Sequence, residues 1–353
     1  MQESKITIWG ALAAVFFGVI GFLAIAEIGL RMAYPHWKDF YSGRFIQSES
    51  VPGHSVIAVG RPNYEGYFAQ NNGDFRILLR INEFGLRNDE SVTASNDRVW
   101  IIGDSMAFGW GVNRNEMYSS IISDRTGLKT YNVASPGTDV CGYQSLAARM
   151  PTSAKPKAVV IGLILENDIR NYDCRENAKR KKGQTINMKP QPFRLITLKV
   201  YLTQYSALYN LTVASIKRVG PVIDILKSLN MINQEHAYKL LFNSSQIDSL
   251  AASVVRELSV LKSMFADGTP FSVLIAPARF EIRDDDAPYK KLRIQLVNSL
   301  TAAGIGVIDP YFEFKKAGFE ATHFRYDGHW SALGHEIAGI AAAKWLSKKL
   351  ANQ

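Results

Sequence analysis

Four stretches, widely separated along the chain, end apolar runs in residues suited to acyl chemistry. The first is "RVWIIGDSMAFGWGV" (Arg98–Val112), in which Val99 to Ile102 are large and apolar and Gly103, Asp104 and Ser105 follow at once. A serine hydroxyl is a poor nucleophile until a base takes its proton. Near the C-terminus, "YDGHWSALGHEIAG" supplies His329 as that base, because a free imidazole titrates near neutrality. Asp327, two residues earlier, is suited to holding the imidazole tautomer and stabilising the imidazolium. Attack on an acyl carbonyl creates an oxyanion that needs preset donors. The backbone N–H groups of Ser105 and of Gly137 in "ASPGT", with the side-chain amide of Asn167 in "LENDI", are the candidates. Losing one such donor typically costs about 2.7–4 kcal/mol of transition-state stabilisation. Glycine suits position 137, where a side chain would crowd the substrate.

Each residue has a plainer reading. Ser105 is also a turn serine able to cap a following helix. Asp104 reads as structural, bonding local backbone amides. Asn167 and Asp168 together resemble a helix cap. His335, in "LGHEIAG", reads as a structural helix-face histidine, and His323 lacks an acid at matching spacing. Trp110 and Trp330 are suited either to lining an acyl or sugar pocket or to ordinary packing. What favours catalysis is the recurrence of the same chemistry at the ends of successive apolar runs.

Those runs imply the frame. "VWII", "TYNVASPG" (Thr130–Gly137), "AVVIGLIL" (Ala158–Leu165), "FSVLIAPA" (Phe271–Ala278) and "IGVIDP" (Ile305–Pro310) read as five strands. Amphipathic stretches such as "EMYSSIISDRTG" and "YKKLRIQLVNSLTAAG" lie between them, the latter with Gly304 as a C-cap candidate. Near-continuous apolar strands alternating with helices predict a parallel sheet covered on both faces, with ligands at the carboxyl ends of the strands. Residues of about 170–250 interrupt the alternation with helical periodicity and are expected to form an insertion that shapes the acceptor side. The basic cluster Lys179–Lys182 within it reads as a solvated loop or as a docking point for anionic lipid or glycan.

The chain has 353 residues, 47% hydrophobic and 21% charged, which excludes a disordered or fibrous class. A net charge of +9 favours anionic surroundings without choosing among nucleic acid, lipid and glycan. No nucleic-acid partner is expected; the oligomeric state is left open. From Ile6 to Ala26 no residue is charged, and at 1.5 Å per residue this run spans the roughly 30 Å of a bilayer's hydrocarbon core. Trp9 at one end and Arg31, Tyr34, His36 and Trp37 past the other resemble interfacial anchors. Ala24-Ile25-Ala26 also fits a signal-peptide cleavage site, but the apolar run is long for a signal and Lys5, offset by Glu3, gives it little basic flank. An uncleaved anchor is therefore expected over residues 1–34, then a membrane-proximal lead-in over 35–97 and a catalytic domain over 98–353. Lys5 against Arg31, Lys38 and Arg44 orients the span only weakly, and the short tail before it predicts a translocated domain, on the periplasmic side of an inner membrane. Cys141 and Cys174 are too few for a disulfide scaffold or zinc site; one bridge or two separate thiols both fit.

The motifs resemble the SGNH (GDSL-like) hydrolase superfamily. "GDSMAFG", "NVASPG", "END" and "DGHW" match its four blocks in order, across about residues 76–348. The upstream "INEFGLRN" is similar to the membrane-anchored bacterial branch. The resemblance implies a three-layer α/β/α, flavodoxin-like fold with no metal or organic cofactor. It implies a serine esterase cleaving or transferring an acyl group, often acetyl, with Ser105, Asp327 and His329 catalytic and Ser105, Gly137 and Asn167 forming the oxyanion hole. A lipid ester, as in a lysophospholipase, or a non-catalytic glycan-binding role are the alternatives to an acylated envelope glycan. "GDSMA" lacks the second glycine of the G-x-S-x-G elbow, against the α/β-hydrolase family. Two departures stand out. Leu165 replaces the glycine common before the Asn-Asp pair, narrowing the space beside Asn167, and the acid and base are spaced Asp-x-His rather than Asp-x-x-His. The shorter spacing followed by Trp resembles alginate-acetylation proteins.

Overall fold

Runs of Val, Ile, Leu, Ala and Phe favour the pleated, doubly buried environment of a central strand, and they set the order of the main sheet. In the computed structural model, residues 8–40, 42–70, 73–179, 193–216, 221–222, 225, 228, 242–325 and 327–351 are described. Two antiparallel hairpins come first: β1 (Ile46–Glu49) with β2 (Ile57–Gly60), and β3 (Glu65–Ala69) with β4 (Arg76–Arg80). Then follow β5 (Val99–Gly103), β6 (Thr130–Asn132), β7 (Ala158–Ile164), β8 (Phe271–Ala276) and β9 (Gly306–Ile308), all parallel, in the spatial order β6-β5-β7-β8-β9.

Alternate side chains along each strand enter opposite cores. Trp100, Ile102, Val159, Ile161, Val273 and Ile275 join one cluster with Tyr143, Val254 and Leu296. These come from the helices Val140–Ala148, Ile247–Ser263 and Ala287–Ala302. Val99, Ile101, Val160 and Leu274 join the other with Tyr118, Ile122, Ala338 and Leu346, from Tyr118–Thr126 and Ala332–Leu350. The result is the expected three-layer α/β/α arrangement with flavodoxin-like strand order. The chain starts at β5, steps to β6 on one side and then to β7 on the other, so the reversal point lies between β5 and β7, where ligand crevices form in such sheets.

The described residues fall into two compact units. One holds residues 42–70 with those of 74–179 and 242–351. Within it the lead-in hairpins are part of the cores: Ile57, Val59 and Leu86 join the first cluster, Phe68, Ile77 and Leu79 the second. Arg87, fully buried, donates to the carbonyls of Phe108, Gly109 and Val112 and so fastens the "EFGLRN" turn to the loop after Ser105. The other unit comprises the helix Ile8–Ala33, a 3-10 turn (Pro35–Phe40) and the insertion helices Phe193–Tyr205 and Ala207–Ile216. The first of these helices is long and apolar enough to cross a membrane, with mean hydropathy 2.4 and none of that stretch buried. Of the basic cluster, Lys179 ends the helix Cys174–Lys179, while residues 180–182 lie outside the described residues. Cys141 and Cys174 form a disulfide, the first of the two readings.

Candidate active site

The short helix Ser105–Phe108 begins directly after β5, and Asp104 is its N-cap, accepting from the Met106 N–H at 2.9 Å. That cap sets Ser105 at the strand's carboxyl end, partly exposed. From the far end of the sequence, His329 reaches it: Nε2 lies 2.8 Å from Ser105 Oγ. The other ring nitrogen, Nδ1, is bonded to Asp327 Oδ1. With its proton on Nδ1, facing the carboxylate, the ring leaves Nε2 to accept the Ser105 hydroxyl hydrogen. Gly328, between acid and base, has φ +81°, a conformation other residues adopt at a cost of about 1–2 kcal/mol. A Cβ there would also meet the Arg279 guanidinium. The Asp-x-His spacing is therefore closed by a left-handed glycine.

Electrostatics support a base. Burial alone would lower the His329 pKa, but the adjacent Asp327 and the nearby Asp104 outweigh it, and the value stands above the ordinary 6.5. Burial pushes Asp327 the other way from its surroundings; the imidazole and the Gln70 amide prevail and hold its pKa below the usual carboxylate range. Asp104, fully buried, is raised by desolvation despite the Asn167 amide and the Met106 N–H. A quarter of the His329 side chain remains exposed, so the ring is reachable from solvent.

The proposed oxyanion donors lie on neighbouring strand ends. Asn167 follows β7 and gives one Nδ2 hydrogen to Asp104 Oδ2 at 3.0 Å, leaving the second for a ligand. Gly137 follows β6, is exposed at φ +75°, and its N–H meets no acceptor among the described residues. The disulfide joins the helix just past Gly137 to the segment just past Asn167. Leu165 is fully buried in the first core cluster.

The competing histidines are accounted for differently. His335 is buried, its Nδ1 accepting the Tyr118 N–H at 3.3 Å. His323 is buried beside the Thr322 hydroxyl at 2.9 Å. Burial lowers both to about 3. Trp330 is core, packed on Phe314 and Tyr118. Trp110 stacks on His329 at 5.6 Å between ring centroids and is itself backed by Phe68 of β3.

Two participants were invisible in the motifs. Gln70, just past β3, donates through Nε2 to Asp327 Oδ2. Glu166, in the residue before Asn167, pairs with Arg279, its Oε2 lying 2.8 Å from Nε and its Oε1 2.6 Å from the Arg279 backbone N–H. The only cue for either was position next to a motif or an apolar run. A cavity of about 450 Å³ lined by Arg80, Asn88, Arg114 and Asp124 lies in the same unit and includes neither Ser105 nor His329.

No family model and no curated protein matches the sequence. Solved structures do. They include a putative lipolytic protein of the G-D-S-L family from Desulfitobacterium hafniense DCB-2, 10% identical, covering 71% of this chain and 99% of that one with a TM-score of 0.38. A G-D-S-L family lipolytic protein from Veillonella parvula is 14% identical, covering 71% and 98%, with a TM-score of 0.39. A carbohydrate esterase family 2 enzyme from Corynascus thermopiles is 13% identical, covering 87% and 88%, with a TM-score of 0.42.

Proposed function

We propose that this chain is a serine ester hydrolase or acyltransferase of SGNH type that works through a Ser105 acyl-enzyme. The observation that carries this is the hydrogen-bonded line from Ser105 Oγ to His329 Nε2, and from His329 Nδ1 to Asp327. In the first half-reaction Nε2 takes the Ser105 proton as Oγ bonds to the acyl carbon. The carbonyl oxygen becomes an oxyanion facing the Ser105 and Gly137 N–H groups and the Asn167 amide. Collapse expels the alkoxide, which leaves with the proton from the imidazolium. Water or a sugar hydroxyl then gives its proton to His329 and attacks the acyl carbon, releasing Ser105.

The proposed substrate is an O-acyl, chiefly O-acetyl, ester on an envelope glycan. The helix Ile8–Ala33 would hold the enzyme in the inner membrane with its hydrolase unit in the periplasm. The Cys141–Cys174 bridge supports an oxidising compartment. The helix runs unbroken through Ala24-Ile25-Ala26, which supports retention of the segment as an anchor. That same apolar helix favours a second reading, a lipid esterase at the bilayer surface.

Mass spectrometry after fluorophosphonate treatment tests the chemistry: one adduct on Ser105 is expected, absent in His329→Ala. Hydrolysis of p-nitrophenyl acetate should disappear in Ser105→Ala and His329→Ala while both remain folded. Near-native turnover in either variant would overturn the assignment. Fatty-acid release from dispersed phospholipid, without activity on acetylated sugars, would favour the lipid reading; normal cellular function of Ser105→Ala would favour a non-catalytic glycan-binding role.

A further inference from the structure

The insertion helices share a compact unit with the N-terminal helix, and one carboxylate joins them. Glu27 and Arg31 are the first charges after the uncharged run, so they mark where the helix leaves an apolar environment. Glu27 accepts four hydrogen bonds, from Arg31 Nε at 2.7 Å and from Ser206 Oγ, Ala207 N and Leu208 N at 2.9 Å each. The last two are unsatisfied N–H groups of the first turn of Ala207–Ile216, where a negative charge also meets the positive end of the helix dipole. Arg31 Nη2 reaches the Tyr205 carbonyl at 2.6 Å, and Asn210 Nδ2 reaches the Trp37 carbonyl at 3.3 Å. The junction of the two insertion helices is thus fixed level with Glu27.

From that junction an apolar stripe runs outward. Leu198, Tyr201 and Tyr205 lie on one helical face at i, i+3 and i+7, exposed by 51, 59 and 50%. Three large apolar side chains in a row on one exposed face need a cover. Tyrosines at the level where a spanning helix emerges suit the lipid headgroup boundary, with the ring in the apolar layer and the hydroxyl in water. The sequence from 193 to 218 contains Arg194, Lys199, Lys217 and Arg218 and no acidic residue, a composition attracted to anionic lipid.

We propose that the insertion helices Phe193–Tyr205 and Ala207–Ile216 are a peripheral membrane contact, clamped by Glu27 at the bilayer surface with the Leu198–Tyr201–Tyr205 face toward lipid. This rests on the reading that Ile8–Ala33 spans the membrane. It gives the protein two attachments, one through the bilayer and one along it.

Nitroxide labels on Leu198→Cys and Tyr201→Cys in the full chain, reconstituted in vesicles of phosphatidylcholine and phosphatidylglycerol, test it. The native cysteines are paired, and both new sites are exposed, so labelling disturbs no packing. The oxygen-to-nickel accessibility ratio at both sites should lie several-fold above that of Lys348→Cys on the C-terminal helix, and below that of Phe17→Cys in mid-span. Ratios at 198 and 201 equal to that at 348, with 17 still in hydrocarbon, would overturn the surface contact alone. A water-like ratio at 17 would instead overturn the spanning reading and the contact with it.

Discussion

The carboxamide of Gln70 donates to Asp327 Oδ2, the carboxylate oxygen opposite the one bonded to His329. Both oxygens of the acid are therefore held, one by the base it orients and one by a residue 257 positions earlier. A hydrogen bond to a charged group contributes about 1.5–3 kcal/mol. In Gln70→Ala the carboxylate can swing, and kcat for p-nitrophenyl acetate should fall roughly ten- to a hundredfold with KM little changed. Gln70→Glu sets a second negative charge beside Asp327 and favours the imidazolium, so the acid limb of kcat/KM should move to higher pH. An unshifted limb and wild-type kcat in both variants would reduce Gln70 to packing.

The base itself sets a second expectation. Activity needs neutral His329, and the pKa of this imidazole stands above its ordinary value because its carboxylate neighbours outweigh burial. The acid limb of kcat/KM should accordingly lie above pH 6.5, with rate lost as pH falls through it. Asp327→Asn removes the dominant opposing charge and leaves burial, which lowers an imidazole pKa. The limb should then shift to lower pH while kcat drops by about 10⁴ through the wrong tautomer. A pH profile of the two proteins decides both points.

Ser105, Asn167, Asp327 and His329 were legible because each follows an apolar run or sits in a compact motif, and parallel strands carry such ends to one edge. Gln70 was not: it lies past a five-residue hairpin strand, and nothing in "YFAQNNG" marks which distant carboxylate it will meet. Glu166 stood in view within "LENDI", but its partner Arg279 lies across β8, beyond any local spacing. The expected strand Thr130–Gly137 is paired as a strand only over Thr130–Asn132, although Val133 and Ser135 still donate to Ile101 and Gly103. Apolar character persisted past the point where the backbone turns to present Gly137. The cysteine pairing was open because spacing along a chain does not fix the distance between Cα atoms; here it is 5.0 Å.

Asn167 serves two neighbours, and its removal should be read in two ways. One amide hydrogen goes to the buried Asp104, the other is directed to the developing oxyanion. Asn167→Ala should lower kcat by about 10²–10³ with a small change in KM, since the lost donor acts mainly in the transition state. It should also lower unfolding free energy by about 1–3 kcal/mol, because a buried carboxylate oxygen loses its partner. A stability loss with kcat intact would leave Asn167 as a support for Asp104 only.

The bridge offers a test that joins stability to the site. Cys141 and Cys174 are 33 residues apart, and the loop-closure entropy of a cross-link that long corresponds to about 4 kcal/mol at 25 °C. The double variant Cys141→Ser/Cys174→Ser should lose stability of that order, read as a lower urea midpoint at unchanged slope. Dithiothreitol should lower the wild-type midpoint equally and leave the variant alone. Because the bridge ties the helix after Gly137 to the segment after Asn167, the freed chain lets two oxyanion donors drift apart. A several-fold fall in kcat is expected at temperatures where the variant is still folded. Equal midpoints with and without reductant would mean that the two thiols are separate in the working protein and that the donors are held by packing alone.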